Sequence, residues 1–128
     1  MAARVRNLLA VMSDLFFSVQ INDASKKLGM TAEFVKDETL ALEKAKLKPL
    51  LIILDLNCDA ADPLDLIARL KADPETAGIA MIGFVSHVQV ELKQKALAAG
   101  CDTVVARSVF AQNLTAMIST AAQSRAVD

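Results

Sequence analysis

The run LLIILDLN, residues 50–57, decides how this chain folds. Its first five residues, ending at Leu54, form a continuous apolar stretch that no other run in the chain exceeds in length, and Asp55 follows at once. An unbroken apolar run of this length is typical of a strand buried on both faces, as in a parallel sheet covered by helices. The run is far too short to cross a bilayer, which takes about 20 residues. We therefore predict a central parallel strand with Asp55 at its carboxyl end.

Four further short apolar runs flank this strand, and helical patterns alternate with them. The runs are LLAVM at 8–12, AEFV at 32–35, IAMIGFV at 79–85 and TVVA at 103–106. Strands that alternate with helices pair in parallel through right-handed crossovers. The sequence thus predicts an α/β, flavodoxin-like doubly wound sheet of five parallel strands, order 2-1-3-4-5, with helices on both faces. We expect a single domain over residues 1–128, with a tail at 124–128 that frays.

Start and stop signals predict where the helices lie. In the third helix Asp62 is the expected N-cap and Pro63 the first helical residue. Ser86, with Gln89 three residues later, has the pattern of a capping box, so we expect Ser86 to cap the fourth helix. Glycines are expected to stop the first and fourth helices, at Gly29 and Gly100.

Apolar residues at helical spacing predict which helix faces meet the core. The expected stripes are Phe17, Ile21, Ala24 and Leu28 in the first helix; Leu40, Leu42, Ala45 and Leu47 in the second, which ends before Pro49; Leu66, Ile67 and Leu70 in the third; and Phe110, Leu114, Met117, Ile118 and Ala121 in one continuous last helix.

Composition argues against several classes of function. Lys and Arg number 14 and Asp and Glu 15, a net charge of −1, so no basic excess is present to neutralise nucleic-acid phosphates. A single histidine, His87, excludes a site that needs two imidazoles. Two cysteines, Cys58 and Cys101, are too few for a metal quartet or a disulfide framework. Because no signal or membrane-spanning run is visible, we expect a cytoplasmic chain that binds neither nucleic acid nor membrane.

Polar residues follow the first, third, fourth and fifth predicted strands, which meet at the expected ligand site. In an open α/β sheet the ligand site lies beyond the carboxyl ends of the strands, where the strand order reverses. For order 2-1-3-4-5 that point lies between the first and third strands. The polar residues expected there are Ser13, Asp14, Asp55, Asn57, Ser86, Arg107 and Ser108. Loops are polar by default, so any one of them is equally well explained as a solvated loop residue.

Three stretches carry a family resemblance: LLIILDLN, ADPLDLIARLKADPETAGIAMIGFVSH and ALAAGCDTVVARS. With them the chain resembles, over nearly its whole length, the receiver domain of two-component response regulators. In that family an aspartate ending the third strand accepts a phosphoryl group, and an acidic pair after the first strand binds magnesium. By this resemblance Asp55 is the candidate phosphoacceptor, and the backbone carbonyl of Asn57 helps to hold the metal.

Several other positions depart from the family pattern. The acidic pair falls on Met12 and Ser13, or on Ser13 and Asp14 after a shift of one residue. A Thr or Ser is expected at Val85, with Ser86 one residue late, and a switch aromatic at Val104. The family lysine falls on Arg107 and the following proline on Ser108. The resemblance therefore implies a degenerate pseudo-receiver in which Mg²⁺ binding is weakened, because Mg²⁺ needs one or two carboxylates.

Single residues keep alternative interpretations. Asp55 is either a phosphoacceptor or a carboxylate held by local backbone N–H groups. Asp14 is either a metal ligand or a loop acid or helix cap. Arg107 is as well explained by an ion pair to Asp55 as by a phosphate contact. Ser86 is better explained as a helix cap than as a phosphate ligand.

The resemblance implies a stand-alone signal-transduction module that acts by protein–protein contact and is not an enzyme. The implied surface is the helix 4–strand 5–helix 5 face, residues 88–99 and 104–112, for a partner protein or a second copy. As an alternative, a histidine kinase phosphorylates Asp55, with Mg²⁺ held by Asp14, Asp55 and the Asn57 carbonyl. A flavin carrier is disfavoured because residues 12–16 lack the Ser, Thr and Gly run that cradles a phosphate.

Overall fold

The chain forms one parallel sheet between two layers of helices. A computed structural model describes residues 6–58, 61–87 and 89–126, with side chains described through residue 123. Five strands lie in this part of the chain: β1 (Asn7–Val11), β2 (Thr31–Val35), β3 (Leu51–Asp55), β4 (Ala80–Val85) and β5 (Thr103–Ala106). They correspond to the five apolar runs, so the interpretation of those runs as strands is confirmed.

All neighbouring strands pair in parallel, in the order β2-β1-β3-β4-β5. The predicted fold class and strand order are confirmed. The strand order reverses between β1 and β3, where Val11 lies beside Leu54 in the register. The carboxyl end of β3, with Asp55, therefore lies at the reversal point.

In the described ranges six helices cover the sheet: α1 (Leu15–Lys27), α2 (Glu38–Ala45), α3 (Pro63–Ala72), α4 (Val90–Ala99), α5 (Arg107–Gln112) and α6 (Leu114–Ala126). Strand side chains alternate between two buried clusters, one packed against α2, α3 and α4 and the other against α1, α5 and α6. Leu9 and Val11 face the first cluster and Leu8 and Ala10 the second. This two-sided burial explains why the strands read as unbroken apolar runs.

Several predicted helix ends are confirmed. The Asp62 carboxylate accepts a hydrogen bond from the Asp65 backbone N–H, and Pro63 is the first residue of α3. Gly100 caps the end of α4 with a φ of 121°, and Gly29 follows α1 with a φ of 71°. Such positive φ values favour glycine because a Cβ atom is strained there.

The predicted capping box at Ser86 is wrong. The first residue of α4 is Val90, its N-cap is Gln89, and no side chain caps it. The backbone N–H of Ser86 instead donates to the Asn57 side-chain oxygen, 2.8 Å away. The hydrogen bond between Ser86 and the loop after β3 is made instead of the predicted helix cap, and α4 starts four residues after Ser86.

The last helical segment is two helices, contrary to the single helix predicted. The helix is interrupted at Asn113, whose φ of −124° lies outside the helical range. The side-chain amide of Asn113 donates a hydrogen bond to the Val109 carbonyl. Asn competes with the helix through such local side-chain bonds. After the break Ala122 rather than Ala121 is fully buried on the stripe. Helix α6 continues through Ala126, and residues 127 and 128 of the predicted frayed tail lie outside the described residues.

The buried face of the second helix contains fewer of the predicted residues than expected. Ala41 and Ala45 are its buried residues, whereas Leu40 is exposed and Leu47 lies beyond the helix end and is exposed. Leu42 is partly buried and packs against the core cluster on this face of the sheet, as predicted. None of the helices in the described ranges has the length and apolarity needed to cross a membrane.

Candidate functional site

The carboxyl edge of the sheet gathers the polar residues that the sequence singled out. Asp14 follows β1, Asp55 ends β3, Ser86 follows β4, and Arg107 follows β5. Because all five strands run the same way, these positions lie along one edge of the sheet. The topology therefore brings these candidate residues to one edge, and their role as a functional site stays a prediction.

Asp55 is half-buried at the end of β3. One of its carboxylate oxygens accepts a hydrogen bond from the backbone N–H of Asn57, at 2.9 Å. This is the local backbone contact expected for a carboxylate that ends a buried strand. It turns the chain sharply after β3 and fixes the orientation of the carboxylate at the edge.

Asn57 joins two strand ends through its side chain. Its amide oxygen accepts the hydrogen bond from the Ser86 N–H, which ties the loop after β3 to the loop after β4. This contact positions the loop that carries Asn57 next to Ser86. The sequence singled out both residues, but as a metal-binding carbonyl and a helix cap.

Asp14 uses both oxygens of its carboxylate within the protein. Oδ1 accepts from the Phe17 backbone N–H at 3.1 Å and so caps α1, and Oδ2 forms an ion pair with the Arg107 guanidinium. The helix-cap alternative for Asp14 is confirmed. A carboxylate before a helix is also favoured by the partial positive charge of the helix N-terminus.

Arg107 is the first residue of α5 and reaches across to the start of α1. Its guanidinium carbon lies 5.4 Å from the centroid of the Phe17 ring. Sequence analysis considered an ion pair between Arg107 and Asp55, and the ion pair described here is with Asp14. Phe17 serves both partners, since its N–H binds Asp14 and its ring underlies Arg107.

The Phe17 ring is fixed in an aromatic cluster. Its centroid lies 5.0 Å from that of Phe84 and 5.7 Å from that of Phe110, both nearly perpendicular. Edge-to-face pairs of this kind are favourable and orient the rings. The platform below Arg107 is therefore rigid and belongs to the core.

Three of the predicted pocket positions present only apolar side chains. Met12, Val85 and Val104 are all buried, with at most 4% of their surface exposed. None of them has a hydroxyl group to bind a phosphoryl oxygen. Their place in the core explains why they are apolar.

Two cavities contain six of the predicted pocket residues. One, of about 260 Å³, brings together Ser86, Arg107 and Ser108, with Phe16 and Gln20 from α1. The other, of about 90 Å³, contains Met12, Ser13 and Asp14 together with Lys36. Sequence analysis missed Phe16, Gln20 and Lys36. The first two lie off the buried stripe of α1, and helical spacing from that stripe is the signal that could have found them.

A Mg²⁺ site at this edge would lack Asp14 as a ligand. Such a site needs oxygen ligands at about 2.0–2.1 Å, with at least one or two carboxylates available. Both oxygens of Asp14 are already engaged, by the α1 N-terminus and by Arg107. Among the described residues, no three His, Cys, Asp or Glu side chains form a group that could hold a metal ion.

Comparisons by sequence identify no relative. No protein-family model matches the chain, and no curated protein matches it.

Solved structures match the fold closely. A CheY-like response regulator receiver domain protein from Methanospirillum hungatei has a TM-score of 0.81 at 16% identity, over 95% of this chain and 97% of that one. The receiver domain of a signal transduction histidine kinase from Syntrophus aciditrophicus has a TM-score of 0.81 at 19% identity, over 94% and 92%. A chemotaxis response regulator of Vibrio cholerae has a TM-score of 0.80 at 17% identity, over 92% and 99%. The chain thus has the fold of CheY-like response regulator receiver domains.

Among the described residues, large apolar side chains are exposed on α1, at Leu40 and Leu47 around α2, and on the helix 4–strand 5–helix 5 face. On α1, Leu15 and Phe16 are exposed by 78% and 85%. On the helix 4–strand 5–helix 5 face, which the structure describes as α4, β5 and α5 without Val88, the exposed residues are Val90, Leu97 and Val109. Contiguous exposed apolar residues of this size often mark contact surfaces.

Proposed function

We propose that the chain is a receiver-like signal-transduction module that acts by protein–protein contact, with phosphorylation and Mg²⁺ binding weakened or lost. The observation that carries this proposal is the double use of Asp14, which caps α1 and pairs with Arg107. A carboxylate committed in this way is a poor ligand for a divalent ion. The closely matching folds of solved receiver domains support the signalling class.

Phosphoryl transfer depends on charge placed around the transferring group. Metal ions and cationic side chains neutralise the charge that develops on its oxygens. Here the guanidinium of Arg107 is directed to Asp14, and the neighbouring Val85 and Val104 are buried and apolar. These features disfavour a phosphoryl switch, and we assign no catalytic role to the chain.

The proposed contact surface is the α4–β5–α5 surface, defined by α4, β5 and α5. Val90 and Leu97 are exposed on α4, and Lys93 and Lys95 lie beside them. Arg107 was expected to contribute to this surface, but it pairs with Asp14 at the start of α1. Lys95 is paired with Glu91 on the same helix, so the exposed apolar side chains and Lys93 fit a partner protein whose surface is mainly apolar, with an acidic group for Lys93.

The proposal keeps the cytoplasmic setting expected from the sequence. Both cysteines, Cys58 and Cys101, are buried and unpaired. Unpaired thiols are compatible with a reducing compartment, where structural disulfides are rare.

Phosphorylation is tested by incubating the purified chain with a small phosphodonor and Mg²⁺ and then measuring its intact mass. We expect no added phosphoryl group under conditions in which a phosphorylatable receiver domain is modified. The alternative function, phosphorylation of Asp55 by a histidine kinase, predicts one added group that disappears in Asp55→Asn. That result would contradict the proposal.

The contact surface is tested with a matched pair of charge variants. Leu97→Glu lies on the α4–β5–α5 surface, and Phe16→Glu lies on the exposed part of α1. We expect the wild type and Asp55→Asn to bind the same partner proteins, Leu97→Glu to lose them and Phe16→Glu to retain them. Sedimentation velocity shows whether the partner is a second copy. Loss of binding in Asp55→Asn, or retention in Leu97→Glu, contradicts this part of the proposal.

A further inference from the structure

At the carboxyl edge of the sheet, called here the acidic edge because it carries Asp14 and Asp55, Arg107 supplies a positive charge. Arg107 pairs with Oδ2 of Asp14, the carboxylate that a divalent ion at this edge would need. We propose that Arg107 acts as a resident cation that keeps Mg²⁺ out, and that removal of its charge opens Asp14 and Asp55 to the metal. This inference deepens the proposed function and rests on the same site, but its test measures metal binding alone.

The topology explains how one arginine reaches this position. Asp14 follows β1, Asp55 ends β3, and β1 and β3 are neighbours, with Val11 beside Leu54. Arg107 starts α5, which packs on the same face of the sheet as α1. Its side chain therefore approaches the loop after β1 from the β5 side of the sheet and brings a positive charge to the acidic edge.

Phe17 holds both members of the ion pair. Its backbone N–H fixes Oδ1 of Asp14, and its buried ring lies under the guanidinium. A guanidinium stacks on an aromatic face and binds a carboxylate through a planar fork, which an ammonium group does not. A metal ion would have to displace Arg107 from this platform and also weaken the cap of α1.

A second basic residue lies at the same edge and gives a matched control. Lys36 lines the small cavity that contains Asp14, whereas the ion pair of Asp14 is with Arg107. If the general positive potential of the edge repels metal, loss of either charge raises metal affinity equally. If the ion pair of Arg107 with Asp14 is what excludes the metal, only loss of the Arg107 charge raises the Mg²⁺ affinity strongly.

The experiment is a titration of ¹⁵N-labelled protein with MgCl₂ at constant ionic strength, followed at the amides of Asp14, Asp55 and Asn57. A cation beside a carboxylate changes its affinity for a proton by about one to three powers of ten. We therefore expect Arg107→Gln to bind Mg²⁺ about tenfold or more tightly than the wild type. Lys36→Gln is expected to stay near the wild-type affinity, and addition of Asp55→Asn to Arg107→Gln is expected to abolish the gain.

The amide spectrum also reports whether each variant is folded, and Arg107→Lys is a second variant that keeps the charge. Because an ammonium group lacks the planar fork, the Mg²⁺ affinity of Arg107→Lys should lie between those of the wild type and Arg107→Gln. Mg²⁺ binding by the wild type as tight as that of Arg107→Gln overturns the inference, as does an equal gain in Arg107→Gln and Lys36→Gln. Failure of Arg107→Gln to gain affinity contradicts this inference only, whereas a phosphoryl group on wild-type Asp55 contradicts the proposed function.

Discussion

The guanidinium of Arg107 pairs with the carboxylate of Asp14 across the carboxyl edge of the sheet. Asp14 follows β1 and Arg107 follows β5, and the ends of β3 and β4 lie between them in the strand order. Neighbouring strands are about 4.8 Å apart, so β1 and β5 are separated by about 14 Å. The ion pair thus connects two distant strands through the long arginine side chain and the loop before α1.

The two roles of Asp14 can be separated by substitution. Asparagine caps a helix about as well as aspartate, so Asp14→Asn removes mainly the charge and should cost about 1 kcal/mol of the free energy of unfolding. Asp14→Ala also removes the cap and should cost about 1 kcal/mol more. Urea denaturation measures both.

Salt provides the control for this prediction. High ionic strength screens a partly exposed ion pair but leaves a neutral hydrogen bond in place. The difference between the wild type and Asp14→Asn should therefore shrink at high salt, while the difference between Asp14→Asn and Asp14→Ala persists. Equal stability of the two variants at all salt concentrations would show that Asp14 does not cap α1.

The sequence was sufficient to predict the sheet because the strands are buried on both faces. The first four residues of β3 have no exposed surface: Leu51, Ile52, Ile53 and Leu54. Burial on both faces requires an apolar residue at every position, which gives an unbroken apolar run in the sequence. Contacts that depend on distant parts of the chain were not predictable in the same way. The Ser86 N–H binds Asn57, 29 residues earlier in the chain, which the local Ser–Gln spacing does not encode.

The candidate site shows the same division between local and distant information. Its residues were found because they follow strand ends, and parallel strands bring those ends to one edge. The sequence did not identify Asp14 as the ion-pair partner of Arg107. Asp14 and Asp55 are both acidic residues that follow strands, so the sequence pattern does not distinguish them. The choice between them depends on the packing of α1 and α5 on one face of the sheet.

Two adjacent phenylalanines should respond very differently to truncation. Phe17 is 2% exposed within the aromatic cluster, whereas Phe16 is 85% exposed. Phe17→Ala should lower the free energy of unfolding by about 3–5 kcal/mol, as for other buried phenylalanines. Phe16→Ala should change it by no more than about 0.5 kcal/mol. Thermal or urea denaturation compares them, and similar losses would mean that Phe16 is also packed in the core.

Gly83 in β4 is expected to tolerate no larger residue without adjustment of its neighbours. A Cβ atom built there lies 3.0 Å from Cδ1 of Leu56 and 3.3 Å from Sγ of Cys101. Overpacking of this kind costs about 1–3 kcal/mol, so Gly83→Ala should be destabilising by that amount. Gly78→Ala is the control, because no atom lies within 4 Å of its added Cβ.

A second substitution tests the cause of that loss. Leu56→Val shortens the side chain that a Cβ at position 83 meets first. In a double-mutant cycle, the two changes together should cost less than the sum of the single changes, with a coupling of about 0.5 kcal/mol or more. Strict additivity would indicate that the strain at Gly83 has another source.

Cys101 should make the fold sensitive to alkaline pH. Burial raises the pKa of its thiol from 9.0 to about 11. Because the folded-state pKa is raised, the stabilisation is complete below pH 9.0 and is lost as the pH rises through about 11. A difference of about two pKa units corresponds to at most about 2–3 kcal/mol.

The measurement is urea denaturation under reducing conditions at neutral and at alkaline pH, for the wild type and Cys101→Ala. The chain has no tyrosine, so no phenol contributes to the alkaline titration of either protein. Lysines are common to both proteins, and the wild type should therefore lose more stability at alkaline pH than Cys101→Ala does. An identical loss of stability in the two proteins would mean that the folded protein accommodates the Cys101 thiolate although the side chain is buried.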